Sequence, residues 1–219
     1  MQSTERNDGT YSKAPRLLTI AVGRCQPLLI RENNPSGSGT RSVVSGIRKT
    51  PLSQLGDAVP VLCGALGLEG DEQADLTVHG GRDKALYCYP TEHYAYWQKA
   101  LAASANRIDR LTTHGALGEN LTVEGLTEET VYLGDLWQIG EVRLQVTLPR
   151  EPCFKFNAVM GDPQASRKMV LANASGWYLA VLTPGTLAAG QRILVEPGPR
   201  EQTVAQAFIQ GHRPTRPWG

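Results

Sequence analysis

One cysteine of the chain is flanked by positive charge. Cys153 stands in the run LPREPCFKFN, with Arg150 before it and Lys155 after it. Neighbouring cations lower the pKa of a thiol, and the thiolate is both a nucleophile and a ligand for soft metal ions. Pro149 and Pro152 stiffen the turn that presents it. The run predicts a reactive or metal-binding Cys153, although a buried, inert cysteine at a strand end explains the local sequence about as well.

A second candidate group surrounds a pair of glycines. His79 precedes Gly80 and Gly81, and two cations, Arg82 and Lys84, follow. Backbone N–H groups of successive glycines can converge on an anion, and a guanidinium matches the geometry of a phosphate. These residues predict an anion-binding loop. A tight turn with a solvated basic rim is the more common structure for such residues, and it stays open.

The remaining polar candidates give weaker predictions. Asn120 lies in the glycine-flanked loop Gly118-Glu119-Asn120. Three carboxylates near Gly70 are interpreted as a solvated acidic loop rather than as acid/base catalysts, namely Asp71, Glu72 and Asp75. Three further cysteines have apolar neighbours and are interpreted as structural, namely Cys25, Cys63 and Cys88. No histidine has a second one four positions later, which excludes a zinc site of the HExxH type.

Composition limits the class of protein. The chain has 219 residues, 41% of them hydrophobic, and a net charge of +1. This predicts a folded protein of one domain, or of one domain and a small appendage, without generic affinity for nucleic acid or anionic membranes. No apolar run approaches the ~18 residues of a membrane span, and the N-terminus does not resemble a secretory signal. Four cysteines without a CxxC pair predict reduced thiols and a cytoplasmic protein.

The elements that must position these groups are mostly strands. Alternation and turn residues predict strands at 16–22, 46–49, 59–63, 136–139, 142–147, 177–182 and 192–195. Helical spacing predicts helices from Pro90 to Ser104, at 164–172 and at 203–210. Residues 33–42 are predicted to be a loop and 1–15 a disordered tail. Short strands with frequent Gly and Pro favour a mainly β (α+β) fold, a barrel or curled sheet with a few peripheral helices.

Several of these stretches occur together in one known family. They are GLEGDEQAD at 67–75, VHGG at 78–81, DKA at 83–85, GENL at 118–121, PR at 149–150, PCFK at 152–155 and GWY at 176–178. In this combination and order the chain resembles the MOSC family, named after the C-terminal domain of molybdenum cofactor sulfurase, in its free-standing YiiM-like branch. The resemblance implies a MOSC-type β-barrel over residues 16–198, with a short helical appendage or tail at 199–219.

The resemblance also implies a cofactor and a division of roles. Members of the family bind the molybdenum cofactor, a pterin dithiolene with a phosphate, and the essential cysteine of the family corresponds to Cys153, the implied metal ligand. Pyridoxal phosphate is not expected, because the separate domain that carries it in full sulfurases is missing. The roles implied for the other residues are a phosphate-binding set, Arg82, Lys84, Arg150 and Lys155, and a pterin-binding set, His79 and Asn120 beside Gly80 and Gly81.

Three functions follow as hypotheses. The first is molybdenum-dependent reduction of small N-hydroxylated substrates, such as N-hydroxylated nucleobases, with electrons from a separate reductase, since the chain has no flavin or iron–sulfur motif. The second is a non-redox carrier of the cofactor, or sulfur transfer through a Cys153 persulfide. The third is a metal-free transferase or hydrolase with Cys153 as nucleophile and His79 as base.

Overall fold

The protein is built mainly from β-strands. The computed structural model describes residues 13–34, 37–74, 80–102 and 111–212. The strands are β1 (Arg16–Val22), β2 (Gln26–Asn34), β3 (Gly37–Ser45), β4 (Thr50–Gln54), β5 (Val61–Gly64), β6 (Gly67–Leu68), β7 (Leu86–Pro90), β8 (Leu121–Glu124), β9 (Leu136–Ile139), β10 (Val142–Pro149), β11 (Trp177–Thr183), β12 (Gly185–Leu187) and β13 (Leu194–Glu196). The α-helices are α1 (Tyr94–Ala100), α2 (Phe154–Met160), α3 (Ala165–Ala172) and α4 (Val204–Gly211).

The main sheet curls until its ends meet. Its strand order is β13-β9-β10-β11-β7-β8-β1-β4, so β13 and β1 lie near opposite ends. Backbone hydrogen bonds nevertheless join β1 to the segment before β13, from Leu17 N to Gln191 O (2.9 Å) and from Gly190 N to Leu17 O (2.7 Å). A bridge between Arg16 and Arg192 lies at the same junction. The predicted mainly β, barrel-like fold with few helices is therefore confirmed.

The clearest sequence pattern gives the expected hairpin. In β10, Val142, Leu144 and Val146 are buried, and they alternate with half-buried polar residues. β10 pairs with β9 in antiparallel register, with Leu144 opposite Trp137, and Gly140 takes a positive φ of 55° in the turn between them. Only glycine adopts that conformation at low cost, so the predicted hairpin and its turn are confirmed.

The helices cover the outside of the sheet. Tyr94, Trp97 and Leu101 are buried in a cluster with Phe156 and Met169, so the predicted helical stripe is core packing. The α-helix is shorter than predicted, because Pro90 belongs to β7, residues 91–93 form a 3-10 turn and α1 ends at Ala100. The predicted last residues, 103 and 104, lie outside the described residues. The predicted helices at 164–172 and 203–210 correspond to α3 and α4.

The helix α4 is joined to the body of the protein rather than projecting from it. Thr203 and Gln206 form a capping box at its start. Val204, Ala205 and Phe208 are buried, and the helix packs against β10. Most of the tail predicted at 1–15 and residues 213–219 lie outside the described residues. None of the helices that the structure describes has the length and apolar character needed to span a bilayer.

The prediction of a loop at 33–42 is wrong. This stretch belongs to a hairpin in which β2 and β3 pair from Gln26 opposite Ser45 onward to residues 34 and 37. Its inner side chains, Leu28 and Ile30, form a small core with Val159 of α2. That partner is more than 100 residues away in sequence, so the local polarity of the hairpin tip gave no sign of it.

Two other local predictions also fail. Residues 46–49 are not a strand, because the strand begins at Thr50, where β4 pairs with β1. Helix α2 was not predicted, since Pro152 and the charges around Cys153 suggest a loop. The helix begins directly after Cys153 and is stabilised by the burial of Phe156, Val159 and Met160.

Candidate functional site

A cleft opens where five segments of the chain meet. They are the segment after β3, residues 71–74, the start of β7, the residues before β8 and the segment after β10. Tyr178 of β11 completes its wall, and the cleft encloses about 680 Å³, its open mouth included. The cleft is the candidate site because it brings together cations, carboxylates and one thiol.

Cys153 lies in this cleft and is half-buried. Its carbonyl oxygen accepts hydrogen bonds from Phe156 N (2.9 Å) and from Ser166 Oγ (3.1 Å), which fix the turn at the start of α2. Cys63 and Cys88 are fully buried, and burial raises the pKa of Cys63 to about 12 and that of Cys88 well above its ordinary value. Those two thiols are structural, as predicted, whereas Cys153 lines the cleft, where a ligand can reach it.

Cys25 differs from the prediction of an apolar setting. It is half-exposed, and its backbone N–H donates to Glu72 Oε2 at 2.7 Å. Burial and the negative charge of Glu72 raise its pKa, while Lys49 and Lys155 act in the opposite direction. This thiol therefore lies next to the charged wall of the cleft without lining it.

Arg150 is a buried cation on the same wall. It is only 4% exposed, and its guanidinium lies over the rings of Tyr87 (5.1 Å) and Phe156 (4.7 Å). Nη1 contacts Met169 Sδ at 3.4 Å. Burial alone would lower its pKa, but the neighbouring Tyr87, Tyr178 and Cys153 raise it. The group keeps its charge, and in the part of the chain that the structure describes no carboxylate forms an ion pair with it.

Asp71 is buried, and the prediction of a solvated position is wrong for it. Its side chain is 3% exposed and forms an ion pair with Lys49, whose side chain is 7% exposed. Asp71 Oδ1 also accepts from Gly23 N at 2.7 Å. The neighbouring Glu72 is exposed, as predicted, and Asp75 lies outside the described residues. Both Lys49 and Asp71 line the cleft.

Asn120 holds this carboxylate in place. Its Nδ2 donates to Asp71 Oδ2 (2.9 Å) and to Ala21 O (3.2 Å), and its Oδ1 accepts from Tyr87 N (3.1 Å). Asn120 lines the cleft as predicted, but both of its donor hydrogens are used within the protein. Its direct contribution is to join β7, β1 and the Asp71 segment behind the wall.

The glycine pair and its basic rim are only partly brought to the cleft. Lys84 is half-buried and lines it, with Nζ 5.8 Å from the centre of the Tyr178 ring. Arg82 is exposed at the start of a short 3-10 turn, and among the described lining residues neither it nor Gly80 or Gly81 appears. Gly81 N donates to Gln73 Oε1 at 3.2 Å. His79 lies outside the described residues.

The segment after β10 supplies two more charged groups. Lys155 and Glu151 both line the cleft, and each is two residues from Cys153 in the sequence. Glu151 contacts His212 at the end of α4, with 3.1 Å between Oε2 and Nε2. The last helix therefore contacts the segment that carries Cys153.

Sequence reasoning missed part of the wall. Lys49, Tyr87 and Glu151 all line the cleft and were not singled out. Lys49 stood in a segment predicted to be a strand, and Tyr87 in an apolar run. Nothing in the local sequence distinguishes them from ordinary surface and core residues.

Comparison with known proteins identifies the family. The family model described as the MOSC domain matches residues 75–194, which is more than half of the chain. The chain belongs to the MOSC domain family. The matched region includes Lys84, Asn120, Arg150, Cys153, Lys155 and Tyr178, so about half of the residues on the cleft wall lie within the match.

Individual relatives agree with this assignment. The chain is 41% identical to Protein YiiM of Escherichia coli (strain K12) over 150 residues, which are 68% of this chain and 65% of that protein. It thus spans slightly less than two thirds of that relative. A protein named "Reductase" from Gibberella moniliformis is 36% identical over 135 residues, which are 61% of this chain and 23% of that protein. The crystal structure of YiiM from Geobacillus stearothermophilus superposes with a TM-score of 0.66 at 30% identity, covering 90% of this chain and 84% of that one.

Proposed function

We propose that this MOSC protein binds the molybdenum cofactor in the cleft and reduces small N-hydroxylated compounds, such as N-hydroxylated nucleobases. One observation carries the proposal: a reachable thiol, Cys153, shares a cleft with a buried guanidinium, Arg150, that no described carboxylate neutralises. A buried charge is costly unless a counter-charge accompanies it. An anionic ligand supplies that counter-charge.

The residues on the wall fit such a cofactor. The phosphate of a pterin cofactor carries the negative charge that Arg150 lacks, and Lys84 and Lys155 add two cations on the same wall. A thiolate is a suitable ligand for a soft metal–sulfur centre. The described residues contain no cluster of three or more His, Cys, Asp or Glu that could hold a metal ion. A single protein thiolate is therefore suited to a metal whose other ligands arrive with the cofactor.

The reaction assigns separate tasks to these residues. The bound cofactor supplies two-electron redox chemistry, and the net change is R2NOH + 2 H+ + 2 e− → R2NH + H2O. Cys153 holds the metal, while Arg150, Lys84 and Lys155 orient the anionic end of the cofactor. Tyr87 and Tyr178 supply aromatic surface beside a planar substrate or pterin. The electrons come from a separate reductase protein.

The comparisons support an oxidoreductase without naming the reaction. One relative is named "Reductase". The four free cysteines of the structure suit a reducing compartment, and we propose a cytoplasmic location on that ground. Cofactor transport and sulfur transfer through a Cys153 persulfide use the same reachable thiol, and the experiment below separates them from reduction.

The test is cofactor content together with turnover. Protein expressed in a host that makes the cofactor is expected to contain molybdenum and pterin near one per chain and to reduce N-hydroxylated bases with a chemically reduced viologen as donor. Cys153→Ala is expected to lose both the metal and the reduction. Cys25→Ala, which removes a half-exposed thiol outside the cleft, is the matched control and is expected to keep both.

Three results would change the conclusion. Full activity of Cys153→Ala would overturn the role of the thiol. Wild-type protein that holds the cofactor but reduces nothing would favour the carrier. Sulfane sulfur on Cys153 without turnover would favour sulfur transfer.

A further inference from the structure

The side chain of Lys49 reaches the cleft through a passage between two glycines. A Cβ atom placed on Gly23 would lie 3.0 Å from Lys49 Cδ, and one placed on Gly115 would lie 3.2 Å from Lys49 Cβ. Gly115 also has a positive φ of 86°. The stem is thus enclosed on two sides, and its ammonium lies on the cleft wall, where only 7% of the side chain is exposed.

Among the described residues, the ammonium of Lys49 has one partner, a carboxylate that is itself held in place. Lys49 Nζ donates to Asp71 Oδ1, and Asp71 is held by Gly23 N (2.7 Å) and by Asn120 Nδ2 (2.9 Å). An ammonium has three donor hydrogens. Within the described ranges no second acceptor lies within hydrogen-bond distance of Nζ, so these residues leave two of its donor hydrogens for a group in the cleft.

Stability is a poor explanation for this buried pair. Removing two charges from water costs about as much as their attraction returns, and apolar replacements of buried ion pairs are often neutral or stabilising. Lys49 and Asp71 also differ from an ordinary buried pair because both line the cleft that contains Cys153. A proton donor fixed at this wall can protonate a ligand bound in the cleft.

We propose that Lys49 is the general acid that protonates the departing oxygen of the N-hydroxylated substrate; this rests on the function proposed above. Hydroxide is a poor leaving group, so cleavage of the N–O bond requires a proton on oxygen. In the balanced reaction, two electrons from the separate reductase enter, the N–O bond breaks, Lys49 Nζ gives one proton to oxygen to form water, and solvent gives the second to nitrogen. The neutral amine of Lys49 then regains a proton through the open mouth of the cleft.

Asp71 is the positioning residue of this pair. Its carboxylate accepts a hydrogen bond from Nζ and so fixes the ammonium at the cleft wall. The other titratable groups that act on this region are Glu72, which lines the cleft, the thiol of Cys25, and Lys155.

The test compares two leaving groups. An N-hydroxylated base needs a proton on its departing oxygen, whereas the O-acetylated form of the same base releases acetate without one. Lys49→Met is expected to lower kcat for the N-hydroxy substrate by about 10²–10³-fold and to change kcat for the O-acetyl substrate only slightly, since general acids contribute in this range. Molybdenum and pterin content per chain, measured in parallel, is expected to equal that of the wild type.

A second variant protects against loss of folding. Lys49→Arg keeps the positive charge but does not release a proton near neutral pH, so the same substrate-selective loss is expected. Asp71→Asn is expected to show a smaller loss with the same selectivity. Lys99→Met, at an exposed position on α1, is the matched control for removing a lysine, and melting temperatures verify that each variant is folded.

The outcomes are distinguishable. Equal losses on both substrates together with reduced molybdenum content would show that Lys49 holds the cofactor, and would overturn the proposal. Unchanged turnover of the N-hydroxy substrate by Lys49→Met would also overturn it, with the proposed function intact. A wild type that carries the cofactor and reduces neither substrate would overturn the proposed function and this inference together.

Discussion

Two buried charged groups of this MOSC protein have opposite environments. Glu119 is fully buried, and its carboxylate accepts from Tyr94 Oη, Gly115 N (2.8 Å), Leu117 N (3.1 Å) and Thr122 Oγ1 (3.0 Å). Arg150 is almost as deeply buried, but it lies against aromatic rings and a thioether. The first group has its hydrogen-bonding capacity filled by the protein, and the second does not.

This difference distinguishes a residue that stabilises the fold from a residue that binds a ligand. Glu119 fixes the loop that precedes β8, and through it the position of Asn120 behind the cleft. Arg150 holds a charge whose counter-charge is not among the described residues. A buried polar group that the protein satisfies stabilises the fold, whereas one left unsatisfied on a cleft wall favours a ligand.

The largest effect is expected at Glu119. Glu119→Ala leaves two buried N–H groups and two hydroxyls without their acceptor, and a loss of about 3–5 kcal/mol in the free energy of unfolding is expected. Urea unfolding at equilibrium measures it. Glu129→Ala, at an exposed position, is the control and is expected to change stability by less than about 0.5 kcal/mol. A Glu119 variant as stable as the control would contradict the comparison.

The opposite result is expected at Arg150. Arg150→Met replaces the guanidinium with an apolar chain against Tyr87 and Phe156, so the free energy of unfolding of the cofactor-free protein is expected to stay level or rise by about 1–2 kcal/mol. Affinity for the cofactor is expected to fall by about 10–100-fold, since charged hydrogen bonds contribute about 1.5–3 kcal/mol. Pterin retention during dialysis measures the second change.

Arg143→Met is the control for this substitution, because Arg143 is ion-paired to Glu196 at the surface, away from the cleft. It is expected to alter neither quantity much. If Arg150→Met destabilised the cofactor-free protein by several kcal/mol, Arg150 would belong with Glu119 as a structural residue.

A smaller effect on stability is expected at His93, which lies beside a buried carboxylate. His93 Nε2 lies 2.6 Å from Glu128 Oε2, and although burial lowers the pKa of His93, the hydrogen bond and charge of Glu128 raise it above 6.5 overall. The charged form is therefore favoured by folding, and its contribution is fully present below pH 6.5 and lost as the pH rises through the folded pKa.

The measurement is melting temperature against pH for the wild type and His93→Gln. From these melting curves, the free energy of unfolding of the wild type is expected to exceed that of the variant by about 1 kcal/mol at pH 5.5. This difference is expected to close as the pH rises toward 9. A gap that widened with pH would mean that His93 is buried in its neutral form. His212→Gln, at the end of α4, offers a comparison histidine outside this pair.

Local sequence was sufficient where the stabilising partner is close in the chain. The β9–β10 hairpin follows from alternation and a glycine turn, and α4 follows from the Thr203–Gln206 capping box. Cys153 was also recognised as a candidate from the sequence, because its charged neighbours are close to it in the chain. In each case the decisive contacts lie within about ten residues.

The β2–β3 hairpin and Asp71 show where this approach fails. The polar tip of the hairpin looks like a loop until Val159 packs beneath Leu28. Asp71 looks solvated until Lys49 arrives from 22 residues earlier in the chain and Asn120 from 49 later. Local sequence contains no information about either partner.

Motifs, alternation and neighbouring charges are local properties, and they were enough to recognise the family, the mainly β composition and Cys153 as the candidate reactive thiol. Only the folded arrangement shows which charges are buried together on one wall, and which of them have no counter-charge among the described residues. Burial and pairing depend on contacts between distant segments, and those contacts distinguish Glu119, a structural residue, from Arg150 and Lys49, which we assign to binding and catalysis.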